Sequence, residues 1–323
     1  MTTPLPPDAK RHAAAYAQRM NKVLDHIDRH LDQTLELADL AEVAHFSPFH
    51  FHRVFAAWMG ETLGDYLRRR RLDAGALRLS RDPSIGVLEV ALAVGFGSGE
   101  AFARAFKQRF GATPSAWRAD VPRRMRGDLA AVRRRVKRNP DQAHGNPDQA
   151  GDDRDGDDGD LDLEEFPMDV TLTTLAPRRI AYLRHIGPYG TAVGQFWMQA
   201  VAPWIAANGL DGRARVGIGR DDPMITEPAK CRYDAGVEVP DDFVARAPAL
   251  VDTLPGGRYA VTAFEGTSAD IELAYAGLLR EWLPASGMQT DGRPFFEHYP
   301  VDARYDPATG RFQCQLCLPV KPA

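Results

Sequence analysis

The stretch GFGSGEAFARAFKQRFGATPSAWR, residues 95–118, decides the fold of the first half of the chain. Ser98 can accept a hydrogen bond from the free N–H groups at a helix start, so a helix is predicted from there to about Phe110. Phe102 and Phe106 lie four residues apart and share its core face. The outward face carries Glu100, Ala103, Arg104 and Lys107. A short helix over about residues 84–94 precedes the glycine-rich turn, and the pair predicts a helix-turn-helix unit.

The same pattern occurs earlier, at residues 35–59, where Arg53 lies 51 residues before Arg104. Ser47 followed by Pro48 predicts the start of the second helix of this earlier unit. Residues at helical spacing then divide into two faces. The predicted core face holds Phe51, Val54, Phe55 and Trp58, and the predicted outward face holds Phe49, His52, Arg53 and Ala56.

A further helix is predicted between the two units, over residues 63–80. At 1.5 Å per residue it spans roughly 27 Å, which suits two recognition helices in major-groove segments about 34 Å apart. Residues 1–138 carry 24 Lys and Arg against 15 Asp and Glu, a net charge of +9. A basic segment with two such units predicts double-stranded DNA as its partner. A plain helical hairpin is the alternative for either unit alone.

Residues 21–118 resemble the DNA-binding domain of the AraC/XylS transcription factors. The resemblance rests on LADLAEVAHFSPFHFHRVFAAWMG (37–60), RRRRLDAGALRL (68–79) and the stretch that ends in FGATPSAWR (110–118). It implies base contacts from Phe49, His52 and Arg53 in the first recognition helix, and from Gly99, Glu100, Ala103 and Arg104 in the second, with Lys107 beside them. Because Glu100 accepts only from cytosine and repels phosphates, the first helix is expected to carry most of the specificity.

Residues 139–165 separate the basic half from the remainder. They hold one basic residue against 11 acidic ones, a net charge of −10, and residues 139–160 contain no aromatic or branched aliphatic side chain. Such a segment buries too little apolar surface to offset its ordering entropy, so it is predicted to be a disordered linker. The predicted domains are therefore 15–122 and 166–323. An acidic segment that competes with DNA for the basic half is the alternative.

The half after the linker mixes strand and helix patterns. VTLTTL (170–175) and RFQCQLCL (311–318) are strand-like, and helical stretches lie between such segments. Internal repeats recur at an offset of 78 or 79 residues, as in Leu175 with Leu254 and Trp204 with Trp282. The predicted fold class is therefore an all-α domain followed by an α+β domain built from a duplicated unit.

The segment PFFEHYPV, residues 294–301, is the most informative part of this second half. As a strand it places Phe295, Glu297 and Tyr299 on one face. A carboxylate between two aromatic rings on an inward face suits a cationic or electron-poor ligand. The residue 79 positions earlier is Ile218, so the repeat predicts a carboxylate that breaks the symmetry of the site. An exposed strand glutamate is the alternative.

The sequence carries no sign of catalytic residues, metal ligands or a cofactor. It has no G-x-S-x-G, Walker or H-E-x-x-H motif. Cys314 and Cys317 form a C-x-x-C, but residues three apart on a strand point to opposite faces and make a poor metal clip. His185 and His298 are predicted to be structural histidines.

Residues 169–320 resemble the GyrI-like effector-binding domain, through RHIGPYG (184–190), GRDDPMITEPAKCRYDAGVEV (219–239), WLPASG (282–287) and FEHYPV (296–301). The resemblance implies a tandem β-α-β-β duplication that binds lipophilic cations or other drug-like molecules between its two copies. It implies that Glu297 contacts the ligand and that Tyr189 and Trp282 line the pocket, beside Phe295 and Tyr299.

Together the two resemblances predict a transcriptional regulator whose second domain senses a small molecule. Its predicted partners are double-stranded DNA, the effector and RNA polymerase. One alternative is a DNA-binding protein whose second domain hydrolyses a reactive small molecule with Glu297 as the base, and another is a protein that sequesters a drug. Three cysteines, no apolar run of membrane-spanning length and no apolar signal-peptide core predict a cytoplasmic protein.

Overall fold

The computed structural model describes residues 7–82, 84–120, 168–268 and 270–322. The predicted linker, residues 139–165, lies outside the described residues. The helical region up to residue 120 consists of α1 (Pro7–Arg29), α2 (Leu37–Val43), α3 (Pro48–Met59), α4 (Leu63–Arg81), α5 (Val87–Ala93), α6 (Gly99–Phe110) and α7 (Pro114–Ala119). Helix α1 begins ahead of the predicted domain boundary at residue 15. None of the described helices has the length and hydropathy that a membrane span needs.

Two apolar cores lie in the helical region, and α4 contributes to both. The first core lies among α1–α4 and buries Phe51 and Phe55 of α3. The second lies among α4–α7 and buries Phe102 and Phe106 of α6. Each core belongs to one helix-turn-helix unit, α2–α3 or α5–α6, so the predicted all-α domain with two such units is confirmed and α4 is the element that connects them.

Helix α4 is fitted to this connecting position by its sequence. Thr62 caps it, because its Oγ1 accepts a hydrogen bond from the backbone N–H of Asp65 at 3.2 Å. Gly75 lies where α6 crosses, and a Cβ built there would come within 2.8 Å of the Phe102 ring. The missing side chain therefore allows the close approach of the two helices.

The second region is built on one curled antiparallel sheet. Its strands are β1 (Val170–Leu175), β2 (Arg178–Ile186), β3 (Arg215–Gly219), β4 (Arg232–Glu238), β5 (Leu250–Leu254), β6 (Gly257–Gly266), β7 (Met288–Thr290), β8 (Phe296–Tyr299) and β9 (Phe312–Pro322). The strand order is β1-β6-β9-β8-β3-β4-β2-β5, and β7 pairs with β9 outside this path. The α+β class predicted for this half is confirmed.

Two interrupted helices pack on one face of the sheet. Helix α8 consists of Thr191–Phe196, a π-helical turn at Trp197–Val201, and Ala202–Ala207. Helix α9 consists of Asp270–Gly277, a π-helical turn at Leu278–Trp282, and Leu283–Ala285. In both helices a proline follows the π turn, and its missing N–H removes a hydrogen bond of the regular α-helix. The duplication itself stays an inference from the sequence repeats.

Candidate functional site

The first candidate surface is the outward face of α3. Ser47 caps the helix, because its Oγ accepts from the backbone N–H of His50 at 3.4 Å. Phe49 is 72% exposed, and His52 and Arg53 are exposed on the same side. The Arg53 guanidinium carbon lies 5.9 Å from the centre of the Phe49 ring. The three predicted contact residues therefore form one surface that is available to a partner.

One core prediction for α3 is wrong. Trp58 was expected on the buried face, but it is 41% exposed. The buried face follows a spacing of four residues, from Phe51 through Phe55 to Met59, which packs against the first core. Helix α3 ends there, because Gly60 adopts the left-handed conformation at φ 68°. Trp58 is rotated away from this narrow stripe.

The corresponding surface of the second unit lies on α6. Ser98 caps this helix as predicted, with its Oγ accepting from the N–H of Ala101 at 3.2 Å. Glu100, Arg104 and Lys107 are exposed on its outward side. Their contact with DNA stays a prediction.

The second candidate site is a cavity of about 1840 Å³ that opens between the sheet, α8, α9 and the end of α4. Aromatic side chains provide much of its wall, and both acidic and arginine side chains interrupt them. The aromatic lining consists of Trp117, Tyr189, Trp197, Tyr233, Tyr275, Phe295, Tyr299, Tyr305 and Phe312. A wide apolar space with a few polar groups is typical of small-molecule sites.

Glu297 is a carboxylate of this wall that is held by tyrosine hydroxyls. Its strand, β8, pairs with β3, which places Glu297 opposite Gly217. Its Oε2 accepts hydrogen bonds from the hydroxyls of Tyr233 at 2.5 Å and Tyr299 at 2.8 Å. Burial raises the pKa of Glu297 above its ordinary value, although these two hydrogen bonds oppose the shift.

Six of the nine aromatic lining residues were not predicted, and Trp197, Tyr233 and Tyr275 are among them. Trp197 donates from Nε1 to the Tyr233 hydroxyl at 3.4 Å, and its ring centre lies 5.7 Å from that of Tyr299. Tyr275, on α9, also lines the cavity. A signal was present, because Trp197 and Tyr275 are 78 residues apart, the same offset as Trp204 and Trp282.

A polar cluster joins the helical region to the sheet, and sequence reasoning did not predict it. Arg232 of β4 donates to Asp28 of α1 and to Asp221, both at 2.8 Å. Arg70 of α4 contacts Asp28 at 3.1 Å and also pairs with Asp221. Burial would raise the pKa of both carboxyls, but the two guanidinium groups hold each below its ordinary value.

Further contacts extend this interface along α1 and α4. The Arg184 guanidinium lies between Asp25 of α1 at 2.7 Å and Asp234 of β4 at 2.6 Å. Thr226, in the loop after β3, donates to Asp73 of α4 at 3.1 Å. Ile225 beside it packs against the second helical core. The loop between β3 and β4 is therefore inserted against the helices.

Tyr189 connects the cavity with this cluster. Its ring lines the cavity, and its hydroxyl lies within hydrogen-bond distance of two backbone oxygens, that of Arg232 at 2.7 Å and that of Asp221 at 2.9 Å. A predicted ligand-binding residue thus contacts two of the residues that pair with the helical region.

Comparison with known proteins finds a separate family for the helical region and for the region built on the sheet. A family model for a helix-turn-helix domain matches residues 40–120, and one for the GyrI-like small molecule binding domain matches residues 168–321. The chain is 35% identical to the putative transcriptional regulator YosT of Bacillus subtilis over 133 residues, 41% of this chain and 89% of YosT. It is 32% identical to the regulatory protein SoxS of Salmonella typhimurium, over 32% of this chain and 96% of SoxS.

The chain belongs to the AraC-type regulators with a GyrI-like domain. Similarity to the right origin-binding protein of Escherichia coli extends over both regions. That relative is 27% identical over 307 residues, 91% of this chain and 95% of its own length.

One residue that the resemblance to a GyrI-like domain assigns to the pocket, Trp282, lies outside the cavity lining. It packs against the apolar clusters that contain Phe264, Leu278 and Leu318. It lies in the π turn of α9, which directs its ring into the core. Tyr189, Phe295, Glu297 and Tyr299 all lie on the cavity wall, and ligand binding by them stays a prediction.

The predicted symmetry partner of Glu297 is wrong. Ile218 is buried with Phe296 on the opposite face of the sheet. An offset of 78 residues places Gly219 at the corresponding position, and Gly219 does line the cavity. Adjacent residues of a strand face opposite sides of the sheet. The offset of 79 therefore led to Ile218 on the far face, whereas the offset of 78 leads to Gly219 on the cavity face.

Cys314, Cys317 and His298 have structural surroundings. Cys314 and Cys317 are buried in different cores, on opposite faces of β9 as predicted. His298 accepts from Arg178 through Nε2 at 2.7 Å and donates through Nδ1 to Gln315 at 2.9 Å. Among the described residues, no group of three His, Cys, Asp or Glu side chains is placed to hold a metal.

Proposed function

We propose that this protein binds specific DNA sites through α3 and α6 and changes its transcriptional effect when a lipophilic cation enters the cavity of the GyrI-like domain. We propose a cationic ligand because of Glu297, whose carboxylate is held by two tyrosine hydroxyls inside an aromatic wall. Aromatic faces attract cations, and a partly desolvated carboxylate adds a charge that neutral ligands do not use.

The proposed DNA contacts are the exposed residues of the two recognition helices. They are Phe49, His52 and Arg53 on α3, and Glu100, Arg104 and Lys107 on α6. The names of YosT and SoxS as regulators support this role. We further propose RNA polymerase as a partner, and the cytoplasm, where bacterial DNA lies, as the place of action.

We propose binding without turnover for the GyrI-like domain. Glu297 has a raised pKa and two neighbouring phenols, which would allow it to act as a base in the alternative function as a hydrolase. Incubating the purified chain with its ligand and measuring the ligand by mass spectrometry decides between the two. A regulator returns the ligand unchanged, whereas a hydrolase converts it.

The test of the ligand class is calorimetric titration of tetraphenylphosphonium and of neutral triphenylphosphine oxide into the full chain. Glu297→Gln keeps the size of the side chain but removes its charge. It should weaken the cation by about tenfold or more, since such an ion pair is worth on the order of 1–4 kcal/mol, and leave the neutral probe nearly unchanged. Glu265→Gln is the matched control, because Glu265 is exposed and outside the cavity. Equal losses for both probes, or none, contradict the proposal.

A test of the DNA function is selection of genomic fragments by the purified chain, with and without tetraphenylphosphonium. We expect a common sequence motif whose recovery changes with the cation. Fragments without a shared motif contradict specific binding. A motif recovered equally in both conditions contradicts sensing.

A further inference from the structure

The cavity is not confined to the GyrI-like domain. The DNA-binding region supplies part of its wall, including Asp28, Arg70, Leu77, Ser80, Arg81 and Trp117. An occupant beside the end of α4 is therefore in reach of both regions of the chain. The contribution of α4 is important here, because this helix connects the two helix-turn-helix units.

Arg81, in the last turn of α4, already occupies an aromatic surface of the cavity. Its guanidinium carbon lies 4.8 Å from the centre of the Phe295 ring. Phe295 is one of the three residues around β8 that face the cavity, together with Glu297 and Tyr299. The side chain of Arg81 is exposed to this space. A cation of the protein itself thus stands where the aromatic wall would attract a cationic ligand.

The position of Arg81 in the chain gives this contact a consequence for DNA binding. The middle of α4 is held to the sheet by Arg70, through Asp28 and Asp221. The end of α4 carries Arg81 and leads directly into α5 and α6, the second helix-turn-helix unit. A movement of this last turn would change the position of α6 relative to α3.

We propose that Arg81 is an internal occupant of the ligand site, and that an aromatic cation bound beside Glu297 displaces its guanidinium from Phe295. This inference rests on the proposed function. Displacement releases the last turn of α4, so ligand binding and the placement of α6 are coupled. By linkage, the same coupling makes DNA binding change the affinity for the cation.

The test compares three full-length variants by calorimetric titration of tetraphenylphosphonium and triphenylphosphine oxide. Arg81→Met removes the competing charge and should tighten the cation by about three- to tenfold, with little change for the neutral probe. Arg81→Lys keeps the charge and should bind like the wild type. Arg78→Met is the matched control, because Arg78 is exposed on the same helix and does not line the cavity. It should leave both affinities unchanged.

Amide hydrogen exchange supplies a second measurement. Tetraphenylphosphonium should speed exchange at Leu79–Asp82 in the wild type, and have little effect there in Arg81→Met, where no contact remains to be displaced. If the wild type binds the cation through Glu297 but Arg81→Met behaves identically in both measurements, the role of Arg81 is overturned while the proposed function stands. If the wild type binds neither probe, or binds the neutral probe as well as the cation, the proposed function and this inference both fail.

Discussion

At the scale of single residues, the two recognition helices differ in what they offer DNA. Arg53 can donate two hydrogen bonds to guanine or contact phosphate, whereas Glu100 carries a negative charge at the corresponding surface of α6. Both side chains are exposed. The contrast gives the expected ranking of α3 over α6 in specificity.

We expect Arg53→Ala to weaken binding to a selected DNA site by about 1–3 kcal/mol if a bidentate guanine contact is lost. Glu100→Ala should weaken binding less, or tighten it, because a repulsive charge is removed. Fluorescence anisotropy with a labelled duplex measures both. The ranking is wrong if Glu100→Ala abolishes binding and Arg53→Ala has no effect.

The raised pKa of Glu297 gives the cavity a dependence on pH. Only the ionised carboxylate attracts a cation, so the affinity for tetraphenylphosphonium should fall as the pH is lowered through the raised pKa of Glu297. Tyr233→Phe removes a hydrogen bond that lowers the pKa of Glu297, and should move this loss to higher pH. Glu297→Gln should make the affinity independent of pH over the same range. A wild-type affinity that stays constant would exclude Glu297 as the charge that the ligand meets.

At the scale of elements, α4 shows how one helix serves two neighbours. Gly64 is exposed in its first turn, and a Cβ there would come no closer than 4.0 Å to another atom. Gly75 is buried, and a Cβ there would meet the Phe102 ring at 2.8 Å. Substitution of these two glycines by alanine is therefore expected to have opposite effects on stability.

Gly64→Ala should raise the free energy of unfolding by up to about 1 kcal/mol, since alanine favours the helix. Gly75→Ala gains the same propensity but overpacks the contact with α6, and should lower stability by about 1–2 kcal/mol net. Urea unfolding followed by circular dichroism compares the two. Stabilisation by both substitutions would show that α6 can move away from α4 without cost.

At the scale of the whole molecule, the polar cluster of Asp28, Arg70, Asp221 and Arg232 joins the helical region to the region built on the sheet. Asp28 is central to it, because Arg232 and Arg70 both contact its carboxylate. Breaking a buried pair leaves an uncompensated charge and costs about 3–5 kcal/mol. Arg29, the next residue of α1, pairs with Asp252 at 3.4 Å, but its side chain is 57% exposed.

Asp28→Asn should therefore lower the unfolding temperature strongly and separate a single calorimetric transition into two, one for each region. Arg29→Ala should change the stability by less than about 1 kcal/mol, as is usual for a surface ion pair. Differential scanning calorimetry of both variants at neutral pH measures the effect. Similar small shifts for the two variants would mean that the regions are held together by apolar contacts instead.

The positive net charge of residues 1–138 predicted a DNA-binding surface, but some of the arginines counted in it make contacts inside the protein. Arg69 and Arg70 are buried in ion pairs, with Glu61 and with Asp28 and Asp221 respectively. Arg71 donates to the backbone oxygens of Leu31 and Gln33. Part of the excess positive charge thus stabilises the contact between regions. A net charge counts these side chains in the same way as those that face DNA.

The sequence by itself determined the local elements and the fold class. Caps such as Ser47 and Ser98, and the phenylalanine spacings of α3 and α6, act over one or two helical turns, so their signals lie within a short window. The alternation around Glu297 likewise predicted which side chains share a face of β8. Tertiary structure alone decided which surfaces meet. The pairing of Asp28 with Arg232 and the contact of Arg81 with Phe295 join residues more than 200 positions apart. Such contacts depend on how the two regions pack in space, and no periodicity along the chain records that packing.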